Sequence, residues 1–178
     1  MRRTLQTTLI SLKWLVESGV PVAVDPMWQE NSNEKCDTGL PIYKTASLFP
    51  SLDFSCVDPA YSDKSVGSPY AFSALANKAR GEACLKALYE RPEKVIIVVS
   101  HAGFLRTAIT KRKFGNADYR IFTFGRGKRG YLELFEDEAT EGKGGRGRSR
   151  RGIWKVKEGD FPLESIGEES DGEWFGVS

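Results

Sequence analysis

The sequence predicts an α/β domain built around a mixed sheet. Three observations favour this fold class. The run at residues 95–99 (VIIVV) suits a central parallel strand covered on both faces, helical periodicity precedes and follows it, and two shorter strand patterns lie nearer the carboxyl end. The resulting order is helix, strand, long insert, helix, strand, helix, strand, strand, which is typical of α/β proteins. With 178 residues, 40% of them hydrophobic, the chain is long enough to bury such a core.

The chain opens with an amphipathic pattern. Leucines and a valine recur at helical spacing over residues 2–18, and Gly19 stands where a glycine often ends a helix. The abundance of Arg, Ser and Thr in the same residues also fits a mitochondrial presequence, but an amphipathic helix of the domain is the favoured interpretation. The run at 20–24 (VPVAV) then predicts a buried strand.

The segment 25–69 contains many turn-forming residues and little periodicity. Irregular segments of this length within a domain usually carry function, so a substrate-binding insert or lid is predicted here. Ser68 and Pro69 then have the character of an N-cap and a first helical residue, and they predict a helix that ends near Glu90. The apolar face predicted for this helix contains Phe72, Leu75, Ala79 and Ala83.

The remaining elements follow the central strand. Residues 104–111 predict a helix, and residues 119–124 and 131–135 predict two strands joined by a glycine-rich turn. Residues 136–152 form a low-complexity segment of mainly Gly, Arg and Lys, which predicts a flexible loop. Residues 153–178 are expected to form a C-terminal segment with an acidic tail.

The overall composition narrows the classes of function. The net charge is only +2, and the acidic tail is expected to offset the basic loop, so nucleic-acid binding is not expected. No apolar run approaches the roughly 18 residues that a membrane helix needs. Cys36, Cys56 and Cys84 fit neither a disulfide framework nor a zinc site, which indicates a reducing, cytoplasmic compartment and no metal. No other cofactor is expected either.

The single histidine of the chain, His101, is the strongest functional candidate. It directly follows the central strand and precedes a helix, which places it at the sheet edge where open α/β folds bind ligands. The small residues Ala102 and Gly103 would let a substrate approach, and the N–H groups of the new helix would face an anion. The alternative is a buried histidine whose hydrogen bonds are satisfied by backbone groups.

Four segments resemble one known family. Residues 98–104 (VVSHAGF) resemble the second catalytic histidine motif of the histidine phosphatase superfamily, phosphoglycerate-mutase-like branch. Residues 2–7 (RRTLQT) resemble its Ser-Pro-x-x-Arg-Thr-x-x-Thr segment, entered midway. Residues 28–30 (WQE) and 36–39 (CDTG) resemble the acidic substrate-loop region of fungal-type members. The resemblance covers residues 1–135, and it implies a three-layer α/β/α phosphoglycerate-mutase-like fold with a mixed, mostly parallel sheet, truncated at its N-terminus.

The resemblance also implies roles for individual residues. Arg3 corresponds to a phosphate-binding arginine, because a planar guanidinium can hold two phosphate oxygens. His101 corresponds to the second pocket histidine, which would help to hold and polarise the phosphoryl group. Glu30 matches the proton donor to the leaving group, with Glu34 as the second choice for that role. The implied substrate is a small phosphomonoester.

One departure from the family pattern outweighs these matches. Family members begin with a strand that ends in Arg-His-Gly, whose histidine attacks phosphorus, and this sequence has no such segment. The expectation is therefore negligible conventional phosphatase activity, since both the nucleophile and one phosphate-binding arginine are missing. The absent strand is also expected to leave unpaired backbone groups and an apolar slot in the sheet.

Three interpretations of this departure remain open. Met1 is an internal methionine of a longer phosphatase, or the pocket of Arg3, His101 and Glu30 has been repurposed as an isomerase, lyase or hydrolase for another small metabolite. Alternatively, the protein is a catalytically inactive binding protein whose sheet is completed by a partner, for instance a second copy in a homodimer. The expected ligand is a small and anionic molecule.

Overall fold

The computed structural model describes residues 1–128 and 130–162. Its first element is a helix in two parts, α1 (Arg2–Ser11) and α2 (Lys13–Glu17), separated by Leu12, whose backbone leaves the helical conformation. The single helix predicted for this region is therefore interrupted. Gly19 has a φ of +83°, the left-handed conformation that glycine adopts most easily after a helix end, as the sequence predicted.

Among the described residues, the two runs predicted as buried strands have no strand partners. Residues 20–24 and 95–99 follow straight paths without a turn or bend, but neither belongs to a sheet in this part of the chain. Among the described residues, the sheet consists of two antiparallel strands, β1 (Phe122–Arg126) and β2 (Leu132–Glu136), in which Phe124 lies opposite Leu134. The predicted hairpin is thus present, one to three residues further along the chain. The three-layer fold with a mostly parallel sheet stays a prediction.

The insert between residues 25 and 69 has local structure of its own. A 3₁₀ turn, Pro26–Trp28, begins after Asp25, whose carboxylate accepts a hydrogen bond from the Met27 N–H at 2.8 Å. Helix α3 (Ile42–Leu48) follows, and turns link it to the next helix.

Helix α4 (Ala74–Tyr89) starts later than predicted. Ser73, not Ser68, is its N-cap, with the hydroxyl accepting a hydrogen bond from the Ala76 N–H at 3.1 Å. The predicted apolar face was also wrong: three of its four members, Leu75, Ala79 and Ala83, are exposed. The residues that α4 buries include polar and charged ones: Ala74, Asn77, Arg80, Gly81, Cys84 and Leu85.

A short helix packs against α4 and forms the main core. It consists of α5 (Ala102–Phe104) and a π-helical turn, Leu105–Ile109, and it begins two residues earlier than predicted. Gly81 allows the close approach of the two helices, because a Cβ there would lie 2.4 Å from the Ala108 carbonyl oxygen. The core cluster consists of Cys84, Leu85, Phe104, Ala108 and Ile109. A second cluster is formed within the insert and directly after it by Val57, Tyr61 and Tyr70.

The Gly/Arg-rich loop at 136–152 carries many hydrogen bonds. The Asp118 carboxylate accepts from the N–H groups of Arg146 and Arg148 and from the Ser149 hydroxyl, at 2.7 to 3.0 Å. Burial would raise the pKa of Asp118, but these hydrogen bonds outweigh it and lower the pKa to about 2. The mobility of the loop stays a prediction, as do the domain boundaries. The acidic tail beyond Pro162 lies outside the described residues.

Candidate anion-binding site

His101 lies at the junction between residues 95–99 and α5. Its backbone is extended and its side chain is buried, with 5% of the residue exposed. The Nδ1 atom accepts a hydrogen bond from the Nε–H of Arg3 at 3.1 Å, which leaves the imidazole proton on Nε2. Burial lowers the pKa of His101 to about 3, and the positive charge of Arg3 contributes to the shift. The imidazole is therefore neutral at neutral pH, with an Nε2–H available as a donor.

Arg3 is held in place by the insert. Its Nη2 donates to the Asp37 carboxylate at 2.7 Å and its Nη1 to the Cys36 carbonyl oxygen at 2.8 Å. Ser32 fixes the other carboxylate oxygen of Asp37 through a hydrogen bond of 2.6 Å. A guanidinium has five N–H donors, and protein groups use three of those on Arg3. Among the described residues, two of its donors have no protein partner, and the Arg3 side chain is 48% exposed, so a ligand can reach it.

The structure therefore brings together residues 98 positions apart that the sequence assigned to one site. The contact joins the first turn of α1 to the start of α5. Segment 36–39, which the resemblance placed in the substrate loop, supplies the two groups that orient the guanidinium. The roles of Arg3 and His101 toward a substrate stay predictions.

Glu30 lies at the same end of α5, where its carboxylate is occupied by backbone groups. It accepts from the N–H groups of Phe104 at 2.7 Å, Asn31 at 3.0 Å and Gly103 at 3.2 Å. A Cβ at Gly103 would lie 2.3 Å from a Glu30 carboxylate oxygen, so the site depends on glycine there. The Gly103 N–H expected to face an anion thus faces this carboxylate. Glu30 caps the helix in this structure, and its role as a proton donor stays a prediction.

Of the other predicted site residues, Ala102 is the first residue of α5 and is exposed. The second-choice acid, Glu34, is exposed as well. Its backbone carbonyl accepts hydrogen bonds from Asp37 and Thr38, and it anchors the turn that carries the Arg3 partners. Neither residue adds a side-chain contact to the cluster around His101 in the described part of the chain.

Two cations near the site have no counterpart in the sequence predictions. Lys64, in the insert, donates from Nζ to the Glu30 carbonyl oxygen at 2.6 Å, and burial lowers its pKa to about 8. Arg80, on α4, is buried with its guanidinium 4.2 Å from the centre of the Phe104 ring. None of its three side-chain nitrogens has a hydrogen-bond partner among the described residues, and burial lowers its pKa to about 10. No local pattern marks either residue, because one lies in an irregular insert and the other among the alanines of a helix.

These charges make the surroundings of His101 electropositive. Arg3, Lys64 and the amino group of Met1 all contribute to its lowered pKa, and Asp37 opposes them. Burial lowers the pKa of the Met1 amino group, and Arg3 and Lys64 lower it further. Mutual repulsion of this kind is relieved when an anion binds among the cations.

An apolar cavity of about 550 Å³ opens next to this cluster. His101 and Met1 line one part of it, and aliphatic side chains of α1 and α2 line another. Its remaining walls include both straight runs and core residues of α4 and the insert: residues 20–24 and 95–99, Cys84, Leu88, Val57 and Tyr61.

The described residues offer no other prosthetic site. Within 1–128 and 130–162, no group of three His, Cys, Asp or Glu residues is arranged to hold a metal ion. The three cysteines lie in this part of the chain and are unpaired. The longest described helix has 16 residues, and none of the described helices combines the length and hydropathy needed to cross a bilayer.

No protein-family model matches the chain, and no curated protein and no solved structure has significant similarity to it.

Proposed function

We propose that this protein binds the phosphate group of a small phosphomonoester at Arg3 and His101, as a relative or descendant of the histidine phosphatases without conventional turnover. The observation that carries the proposal is the 3.1 Å hydrogen bond between Arg3 Nε and His101 Nδ1. It joins the two residues that the family resemblance assigns to the phosphate. The three-layer fold and a cytoplasmic location, in keeping with three unpaired cysteines, belong to the same proposal.

The chemistry of the cluster suits a phosphate group. Arg3 keeps two N–H donors that the described protein groups do not use, and the Nε2–H of His101 adds a neutral donor. Lys64 supplies a further positive charge nearby. Asp37 orients the guanidinium and fixes its geometry before the ligand arrives, which lowers the entropic cost of binding.

The same geometry argues against phosphoryl transfer through His101. A histidine nucleophile attacks with an unprotonated ring nitrogen and needs substantial basicity, whereas the pKa of His101 is about 3. Its Nδ1 lone pair is already engaged with Arg3. Because His101 is the only histidine in the chain, no second imidazole is present to take the role. Negligible hydrolysis of phosphomonoesters is therefore part of the proposal.

Calorimetric titration with inorganic phosphate at pH 7 tests the binding. Arg3→Gln and His101→Gln are each expected to weaken binding about tenfold or more, since a hydrogen bond to a charged group contributes about 1.5–3 kcal/mol. Arg3→Lys should recover part of the affinity, because it keeps the charge but loses the fork. Arg126→Gln is the matched control: the side chain of this exposed arginine on β1 donates to the Gly130 carbonyl oxygen and to no other described residue, so the affinity should not change.

Two results would contradict the proposal. One is phosphate binding that stays unchanged in both Arg3→Gln and His101→Gln, with circular dichroism showing that both variants are folded. The other is robust hydrolysis of p-nitrophenyl phosphate that persists in His101→Ala, which would place the chemistry elsewhere in the molecule.

A further inference from the structure

A second concentration of positive charge lies in the Gly/Arg-rich loop and the residues that follow it. Residues 143–157 contain seven Lys and Arg residues and no Asp or Glu. Four arginines of the loop have exposed side chains that form no hydrogen bond or ion pair with the described residues: Arg146, Arg148, Arg150 and Arg151. Their charges and N–H donors are therefore accessible to a partner.

Hydrogen bonds anchor the backbone that carries these arginines. The Asp118 carboxylate accepts from the N–H groups of Arg146 and Arg148, at 2.8 Å and 3.0 Å. Arg120 donates to the carbonyl oxygen of Arg150 at 3.2 Å. All of these contacts use main-chain atoms of the loop, so they hold its arginines in place without occupying their guanidinium groups. A loop that is held before its ligand arrives loses less entropy on binding.

The fold also places an aromatic ring beside the loop. The Tyr119 ring packs directly against Gly145, where a Cβ would lie 2.1 Å from a ring carbon. The Gly145 N–H donates to the Tyr119 carbonyl oxygen at 3.0 Å, so backbone and side chain both join the two residues. Tyr119 is still 52% exposed, which leaves it accessible to a ligand. No local sequence pattern shows this, because the ring comes from a segment far from the loop along the chain.

A second aromatic ring extends the same surface. The half-buried Trp154 has the Arg106 guanidinium 4.5 Å and the Lys113 ammonium 4.9 Å from the centre of its ring. Cation–π attraction holds these charges together, and their combined positive field remains. Arg120 joins this cluster to the loop, since it donates to the Lys113 carbonyl oxygen at 3.0 Å as well as to that of Arg150. The two rings and the arginines therefore belong to one continuous surface.

We propose that this surface, formed by the Gly/Arg-rich loop with Tyr119 and Trp154, binds single-stranded nucleic acid. Its arginines would contact successive phosphate groups, which a planar guanidinium can hold through two oxygens. A base would stack on the exposed Tyr119 ring, in the combination of cations and aromatic rings that single-strand binding proteins use. The proposal goes beyond the phosphate site and does not depend on Arg3 or His101.

The aromatic rings decide between possible polyanions. An anionic membrane would pair with the arginines but has no bases to stack. A duplex has phosphates, but its bases already stack on one another and are not free to stack on a protein ring. An acidic peptide offers carboxylates alone, and this holds for residues 163–178 of the same chain, which contain five acids and no base. The small net charge of the whole chain includes those acids, so it does not describe the local charge of the loop.

The test measures the fluorescence anisotropy of a labelled oligouridine of about 15 nucleotides mixed with the full chain. Binding should be saturable and should weaken as salt rises from about 50 to 200 mM. Arg146→Gln combined with Arg148→Gln is expected to weaken binding at least about tenfold at the lower salt concentration. The slope of log K against log salt should become shallower by about 1.4, since each phosphate contact of a single strand contributes about 0.7.

Two exposed arginines outside the loop provide the matched control. Arg91 pairs with Glu93, and Arg126 donates to the Gly130 carbonyl oxygen. Arg91→Gln combined with Arg126→Gln removes the same total charge from the chain, and it should change the affinity by less than about twofold. An equal loss in the two double variants would mean that net charge alone attracts the oligonucleotide, which would overturn the proposal.

Substitutions of Tyr119 separate stacking from charge. Tyr119→Leu still fills the space beside Gly145 but has no aromatic ring, and it should weaken binding at least about fivefold while the salt slope stays the same. Tyr119→Phe keeps the ring and should bind like the unaltered chain. Circular dichroism establishes that both variants are folded. Full affinity in Tyr119→Leu would show that no base stacks there and would contradict the proposal.

Competition with other polyanions identifies the ligand. Oligothymidine of the same length should compete, and the difference between its affinity and that of oligouridine shows whether RNA or DNA is preferred. A duplex of the same length should bind at least about fivefold more weakly. Equal binding of the duplex, tighter binding to vesicles of equal parts phosphatidylcholine and phosphatidylserine, or no oligonucleotide binding by the full chain would each overturn the proposal. The affinity for inorganic phosphate is measured separately, so such a result leaves the proposed function standing.

Discussion

Two regions of this chain differ in whether their polar groups have partners within the described residues. In the hairpin region, the side chain of Glu136 on β2 is buried and its carboxylate forms ion pairs with Arg112 and Arg120. The Arg120 guanidinium also donates to carbonyl oxygens of the Gly/Arg-rich loop, including that of Thr140 at 2.9 Å. In the cavity region, the backbone groups of residues 21–24 and 95–99 have no hydrogen-bond partner among the described residues.

The difference shows that apolar composition and backbone pairing are separate requirements for a finished fold. The sequence of the hairpin region includes a low-complexity loop rich in glycine and arginine, which does not predict a packed structure. Its charged side chains and backbone groups nevertheless form hydrogen bonds within the chain. The cavity region contains the strongest strand pattern of the sequence, but no described residue pairs with it as a neighbouring strand. Composition can identify a buried strand, but it does not determine which segments pair with the backbone of that strand.

The largest expected effect is the loss of stability when the buried ion pairs of the hairpin region are disrupted. Glu136→Gln removes the negative charge between two arginines, one of which has a side chain only 1% exposed. Removal of one member of a buried ion pair usually costs about 3–5 kcal/mol, because the remaining charge is left without a partner. Urea unfolding followed by circular dichroism should show a loss of stability of this size.

The control lies on the same strand. Glu133→Gln makes the same chemical change at an exposed position of β2, and it should alter the free energy of unfolding by less than about 0.5 kcal/mol. Equal effects of the two substitutions would mean that the buried ion pairs do not hold the hairpin to the loop.

The second prediction compares a wall residue with a core residue. Ile109→Ala empties a site that is 6% exposed and should cost about 2–5 kcal/mol. Ile97→Ala makes the same change at a site that is 52% exposed and should cost less than about 1 kcal/mol. A large cost at Ile97 would show that this run is already buried in solution.

The sequence predicted individual helices and strands better than it predicted which residues pack or pair beside them. The first helical region, the hairpin and the helix after His101 all appear within a few residues of their predicted places. Periodicity chose the wrong face of α4, because Leu75, Ala79 and Ala83 are exposed while Asn77 and Arg80 are buried. A prediction based on the spacing of apolar side chains cannot identify a helix face that buries polar residues. Pairing of residues 95–99 could not be predicted either, since it depends on what lies beside them.

The site was partly predictable for a related reason. Arg3 and His101 stand in short motifs, so a local pattern brought both to attention, and they meet at 3.1 Å. Lys64 reaches Glu30 from an irregular insert, and Arg80 is buried in the middle of a helix. Neither has a local signal, because each depends on a contact far along the chain. Glu30 was proposed for its acidity, whereas the helix start it caps is visible only in three dimensions.

The smallest effect concerns the charge balance at the cavity end. The pKa of His101 is about 3 in the folded chain and near 6.5 when unfolded, so the unfolded chain binds a proton that the folded chain does not between these values. Stability should therefore fall as the pH is lowered through 6.5, by about 1 kcal/mol between pH 6.5 and pH 5.5. His101→Gln retains Arg3, Asp37, Lys64 and the Met1 amino group, and it should remove this dependence. Urea midpoints measured for both proteins at four pH values in this window provide the test, and no other histidine contributes. If stability depends on pH to the same extent in His101→Gln, the proton belongs to another group in the cluster. If the stability of the wild-type protein does not change with pH, His101 titrates as if exposed and the cavity end is open to water.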